Sequence, residues 1–557
     1  LLNIDHVSVQ NLPNIYSYDG VEAATIGDNF DYGRTAGTFL APTDPTSNQV
    51  SILDLSRAVD IEKLTVTEGG FSADGANAGA LILSGIRNSA ELNLEGGFSQ
   101  DLVLNYGRGN VGNGLDMVFS NVDFHAGDLK IAHNANTFNI ESTGGDNHLN
   151  NFASLNAATL STINVSGDAH LHISGDLQDI YNNVNSRLAT FDASENSGGV
   201  NVNFGDAESG QDRINFTGSQ ADDVLTVKSA QEVTVANSGG ENRYDISVNG
   251  GKKTIVINDG TGGNHYDLEV DGGDGVIDVT AEGDGNNTLT LTETGTGEQQ
   301  SVDIDLAGDN NVVDIETTTE VANITLGGEN GMVFVEEAIT ATVTAGGGNN
   351  TIDLYGENIT VEAGGSENNV LLNGSYDTAA DIENGALISI DFTEDGSNSI
   401  TLGHPAGGDR DTGVTALEGS SISGSDVSLT VLAASDLRAI EDVSAISSVV
   451  MNDTLTMTVE QFLEIGPDAF DSYREVFGTG QTLNLIVGSD TDLSNEDLSS
   501  LREFNFNIAG EVAEASGVEL NFLISEGAEL TLTAEQLHYF VGTIESDKDT
   551  VGNNLLG

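Results

Sequence analysis

Residues 323–374 read NITLGGENGMVFVEEAITATVTAGGGNNTIDLYGENITVEAGGSENNVLLNG. Short runs of alternating apolar and polar residues (NITL, MVFVE, ATVTA, TIDLY, ITVEA, VLLN) are separated by turns of a few residues. Alternation with period two buries one face of each strand. The turn Gly-Gly-x-Asn-Asn occurs at 346–350 and, with one extra residue, at 364–369; a looser copy fills 327–331. The interval is about 19 residues, with two strands expected in each repeat. Gly supplies the positive φ of a tight corner, and Asn tolerates the left-handed region while bonding its own backbone. A sandwich of hairpins would not repeat the same turn residues in register. The expected fold is therefore all-β, a parallel β-helix or β-roll solenoid whose Asn corners stack as side-chain ladders.

Related corners extend backward, at 239–243, 262–265, 272–275, 283–287 and 308–311, each before a short apolar-polar strand. They define a regular solenoid over 201–414. Residues 51–200 alternate in the same way between less regular turns. Residues 1–50 hold three of the five prolines and read as a cap or linker. From 415 to 557 strands are followed by short amphipathic segments, as in TLTMTVEQFLEI and ELTLTAEQLHYF. Thr458 with Gln461, and Thr533 with Gln536, fit the capping box. A strand–short-helix, leucine-rich-repeat-like section is expected there, closing the open edge of the stack before a polar C-terminal tail.

The chain carries 17 Lys+Arg against 88 Asp+Glu, a formal net charge of −71. That field repels nucleic acid and anionic membrane surfaces. It calls either for counterions, with Ca²⁺ the natural partner of carboxylate and carbonyl oxygens, or for the solvated acidic surface of a salt-adapted protein. Without Cys there are no thiolate metal sites or Cys nucleophiles. No apolar stretch nears the ~20 residues that cross a bilayer. The opening LLNIDHVSVQ lacks a basic region and a long apolar region, which reads as a processed or excised part of something larger.

Residues 155–204 contain LNAATLSTINVSGDAHLHISGD and LATFDASENSGGVNVNF, followed by FTGSQADDVLTV at 216–227. This ordered set resembles the repeat region of RTX-type, type I-secreted bacterial surface-layer proteins and their large adhesin relatives. The resemblance spans about 150–400 and extends to the LTLTAEQL-type segments near the C-terminus. It implies an extracellular, cell-surface location, one-step export and Ca²⁺-dependent folding and assembly. The family's nonapeptide places an Asp after Gly-Gly-x-Gly-x to ligate Ca²⁺ between turns. Most corners here carry Asn at that position, so a continuous calcium ladder is not expected between 323 and 374.

The corners that keep carboxylates are the candidate Ca²⁺ ligands: Asp222 and Asp223 first, then Asp146, Asp271, Asp274, Asp284 and Asp309. An Asp that merely satisfies a turn is the alternative at each. His170 and His172, with Asp168 nearby, could hold a transition metal, although a solvent-facing polar pair explains them as well. Solenoids host polysaccharide-cleaving enzymes, but paired carboxylates abound here and discriminate nothing. Basic residues are few, Lys252-Lys253 being the only adjacent pair, and Trp is absent. No GxSxG, HExxH or phosphate loop occurs. The expectation is a structural protein rather than an enzyme: a subunit that self-associates into a lattice or filament. An adhesin or matrix protein binding cell-surface polysaccharide is the alternative.

Overall fold

The computed structural model describes residues 2–3, 6–10, 50–54, 58–59, 63–69, 80–86, 91–98, 101–106, 114–124, 127–133, 135–154, 160–177, 188–206, 213–249, 253–271, 275–293, 301–373, 386–403, 413–473, 482–498, 519–533, 536 and 544–546. The chain packs as two compact units, Leu1–Gly297 and Glu298–Gly557. Both are built from parallel strands.

In the first unit, strands of one column run from Lys63–Gly69 through Thr137–Thr143 and Thr190–Asn196 to Val276–Ala281. A second column runs from Asn147–Leu149 through Val224–Ala230 to Thr288–Glu293. A third, shorter one joins Val50–Asp54, Ala80–Ile86, Asp101–Tyr106, Asp128–Ala132 and Asn151–Ser154. Alternate residues point inward: Tyr244, Ile246 and Val248 stack on Tyr266, Leu268 and Val270, one rung later, and all six are fully buried. Each such aliphatic side chain contributes roughly 1.5–3 kcal/mol on burial. Phe191 lies on Phe216 at 5.9 Å and Tyr244 on Tyr266 at 5.5 Å, so identical neighbours stack where the register repeats.

In the second unit the decisive stretch departs from expectation in one respect. The two short strands expected per repeat are single long strands: Val312–Leu326, Met332–Ala345 and Thr351–Ala363. The first two carry a bulge, where the register slips between Ile315 and Thr318 and between Val335 and Ala338. A bulge turns the strand without ending its ladder, so one Gly/Asn corner per rung suffices. Beyond these rungs a second parallel sheet joins Ser435–Asp436, Leu455–Thr458, Thr482–Val487, Glu519–Ile524 and Ile544–Ser546.

Both expected capping boxes are present. Thr458 Oγ1 accepts from the Gln461 N–H and opens the helix Val459–Ile465, while Gln461 Oε1 accepts from the Thr458 N–H. Thr533 and Gln536 make the same pair. The two Gln side chains do more than cap. Gln461 Nε2 donates to the Leu437 and Ile440 carbonyls, and Gln536 Nε2 to those of Leu493 and Glu496. Each box is thereby tied to an earlier turn of the stack.

Candidate cation site

The corners hold a ladder of buried amides. In the first unit Asn242 N–H donates to Asn264 Oδ1 at 2.9 Å, and Asn264 N–H to Asn287 Oδ1 at 3.0 Å, 22 and 23 residues on. In the second, Gly331, Asn350 and Asn368 donate in turn to Asn350, Asn368 and Asn398 Oδ1 at 2.8–3.1 Å. These Asn side chains are at most 2% exposed. Their Nδ2 groups turn back onto corner carbonyls, as from Asn242 to Gly239 and from Asn368 to Gly364. Asn suits the seat because it donates and accepts at once. At several seats the preceding residue is left-handed: Asn286, Asn330 and Asn349 have φ of 63°, 61° and 59°. Glu367 takes that position with φ 65°. Asn368 rather than Asn369 is thus the counterpart of Asn350, and the extra residue belongs to the strand, not to the turn.

Asp223 sits in this same seat. It is fully buried. Its Oδ1 accepts from the Val200 N–H at 2.8 Å and the Ser219 hydroxyl at 3.0 Å; its Oδ2 accepts from the Ser219 N–H at 2.7 Å and Asn237 Nδ2 at 2.9 Å. Burial raises the carboxyl above its ordinary range, and these four donors only partly oppose the rise. With both oxygens engaged by protein donors, Asp223 has no lone pair directed at a cation. The corner therefore does not fit an inter-turn calcium seat of the kind the resemblance implies.

Asp222, its neighbour, points the opposite way and is exposed. Its Oδ1 accepts from the Glu241 N–H at 2.8 Å. Asp309 does the same for the Glu329 N–H, also at 2.8 Å. The two acids staple successive rungs. Asp146, Asp271 and Asp284 are exposed as well, and the Asp271 carbonyl accepts from Lys253 Nζ. Asp274 lies outside the described residues. Among the described residues no three His, Asp or Glu side chains close around one point as a metal cage. The adjacent Asp222 and Asp223 are thus divided between surface and interior by the alternation of the strand they enter.

A second carboxylate is buried near Asp223. Asp259 is 3% exposed; its Oδ1 accepts from Asn242 Nδ2 and the Gly260 N–H, and its Oδ2 from the Tyr266 hydroxyl at 3.0 Å. Tyr244, which also bonds Asp259, accepts from the Asn237 Nδ2 that serves Asp223. Burial pushes the Asp259 carboxyl up to about 6. Asp259 is not among the residues singled out from the sequence, since its partners lie 17 residues before and 7 after it.

In the second unit a cleft of about 520 Å³ is lined by Asp314, Glu316, Phe334 and Glu336. Burial, then Glu316 and Glu336, raise the Asp314 carboxyl, whose Oδ1 has no hydrogen-bond partner. These acids lie on strand faces rather than on Gly-rich turns, so a search for acidic corners passes over them. No family model, curated protein or solved structure matches the chain.

Proposed function

We propose that the chain is an extracellular structural protein, a surface-layer, sheath or filament subunit that self-associates when divalent cations screen its acidic faces. One observation carries the reading: the side-chain oxygens at the corners are turned inward and consumed in holding rungs together, while Asp222, Asp309, Asp146 and Asp284 stand exposed beside them. Such corners are satisfied within and charged without, and the chain's −71 formal charge opposes close contact between copies. Ca²⁺, which takes several oxygen ligands at once, can bridge such faces. In this reading calcium acts between copies more than within corners. The resemblance of residues 155–227 to RTX-type, type I-secreted surface proteins supports the cell-surface setting. Electron microscopy at millimolar Ca²⁺ is the test. Ordered sheets or filaments that a chelator disperses are expected; particles that stay dispersed rule the reading out.

A further inference from the structure

On the first unit the start of the second column brings histidines of adjacent rungs together. His148 and His172 occupy register-matched positions on adjacent strands, and Asp123 is the partner of His148 on the rung before. The imidazole rings of His148 and His172 lie 4.8 Å apart, while that of His170 is 6.4 Å from His172. His148 Nδ1 is 3.3 Å from Asp123 Oδ1. His148 Nε2 and His172 Nε2 both converge on Ser174 Oγ, at 2.8 and 3.0 Å.

The tautomers follow from this chain of contacts. Asp123 can only accept, so His148 Nδ1 is the donor of that pair; in the neutral imidazole the proton then sits on Nδ1 and the Nε2 lone pair faces Ser174. The single hydroxyl proton of Ser174 goes to that lone pair, and His172 donates its Nε2–H to the same oxygen. Burial, then His148 and His170, lower the basicity of His172. A carboxylate fixing one imidazole nitrogen so that the other faces outward is the outer-sphere pattern that orients histidine ligands on metals. A second imidazole, one rung away, meets it at a common point held by nothing stronger than a hydroxyl.

We propose that His148 and His172 form a two-nitrogen clamp for a borderline divalent transition ion, with Asp123 as the positioning residue for His148. On binding, His172 shifts its proton from Nε2 to Nδ1 and Ser174 swings aside; no electron transfer is involved. Imidazole selects this class of ion, and affinity follows Ni²⁺ < Cu²⁺ > Zn²⁺. The clamp is chemically separate from Ca²⁺ at the carboxylates, because Ca²⁺ takes oxygen ligands.

The test is Cu²⁺ titration of the whole chain in excess Ca²⁺, which occupies the carboxylates, read by electron paramagnetic resonance and calorimetry. The expected spectrum shows hyperfine coupling to two nitrogens at one equivalent of Cu²⁺. His148→Ala and His172→Ala each remove one coupling, whereas Ser174→Ala and His170→Ala keep both. Asp123→Asn weakens binding by roughly 10-fold, the lower end for an outer-sphere partner. These side chains line an outer face, and unchanged circular dichroism verifies the fold of each variant. Protection of His148 and His172 from diethyl pyrocarbonate by Cu²⁺ checks the same point without mutation. A Cu²⁺ spectrum without nitrogen coupling, or two-nitrogen coupling that survives the double His148→Ala, His172→Ala substitution, overturns the proposal.

Discussion

The corner at Asp223 and the corner at Asn350 occupy the same seat and solve it with opposite chemistry. Asn350 gives its Oδ1 to the Gly331 N–H and its Nδ2 to the Gly347 carbonyl and Asn368 Oδ1, so one neutral side chain closes both sides of the corner. Asp223 has nothing to donate, and its surroundings are altered to match: Ser219 and Asn237 turn donors onto it. A repeat can therefore accept a buried charge where neighbouring positions change with it. An acid in the seat tells more about the surrounding donors than about a cation.

Exchanging the two chemistries should separate them. Asn350→Asp replaces a donor facing two oxygens by a carboxylate, a buried charge without compensation, and should cost on the order of 3–5 kcal/mol. Asp223→Asn keeps one acceptor oxygen and leaves the Ser219 N–H facing an amide, which should cost about 1–2 kcal/mol. Urea unfolding of both variants, with hydrogen exchange of the corner amides, measures the difference. Equal costs would mean the seat is indifferent to donor chemistry.

The effect of pH comes next in size. Because Asp259 has a folded pKa near 6, above its unfolded value, its protonated form favours the folded state. The resulting stability is fully present below about pH 4 and is lost as pH rises through 6. Asp259→Asn should remove this component, so the difference in stability between wild type and variant should change between about pH 4 and 6 and be flat above. Asn237, one rung earlier at the matching position, is a natural precedent for the amide. A difference that is flat throughout would place the proton elsewhere.

The smallest expected effect concerns Glu367, whose left-handed φ of 65° is shared by Asn at the matching position of other corners. Asn tolerates this region better than Glu. Glu367→Asn should stabilise the second unit by about 1 kcal/mol, seen as a rise in the urea midpoint at unchanged slope. No gain would mean that the bond from the Glu367 N–H to the Ser397 carbonyl already fixes the corner.

The solenoid itself was legible because its two signals are local: inward alternation within a strand, and Gly/Asn at each corner. The continuity of Met332–Ala345 was not, since Glu336-Glu337 reads as a break while the ladder to its neighbours runs on either side of the bulge. The capping boxes were legible because both partners lie within four residues. The anchoring of Gln461 to turns more than 20 residues back was not. At the candidate cation site, the sequence could mark Asp222 and Asp223 as unusual. It could not assign one to the interior, because that depends on which residue of the turn begins the strand. His148 escaped notice for a related reason: it meets His172 only when rungs are in register.

The amide ladder also has a direction. Each seat's N–H waits for a side chain supplied by the rung that follows, so a rung is completed by its successor and not by its predecessor. In the second unit the series stops at Asn398, whose N–H goes instead to the backbone carbonyl of Asp426, at 3.3 Å. Val427, which follows there, has no polar side chain to extend it, and its own N–H turns to the Ala445 carbonyl. The stack thus has interchangeable middle members and a distinct terminator. Whole rungs could be added or removed between the two without rewriting either, and the length of such a protein becomes a matter of copy number rather than of design.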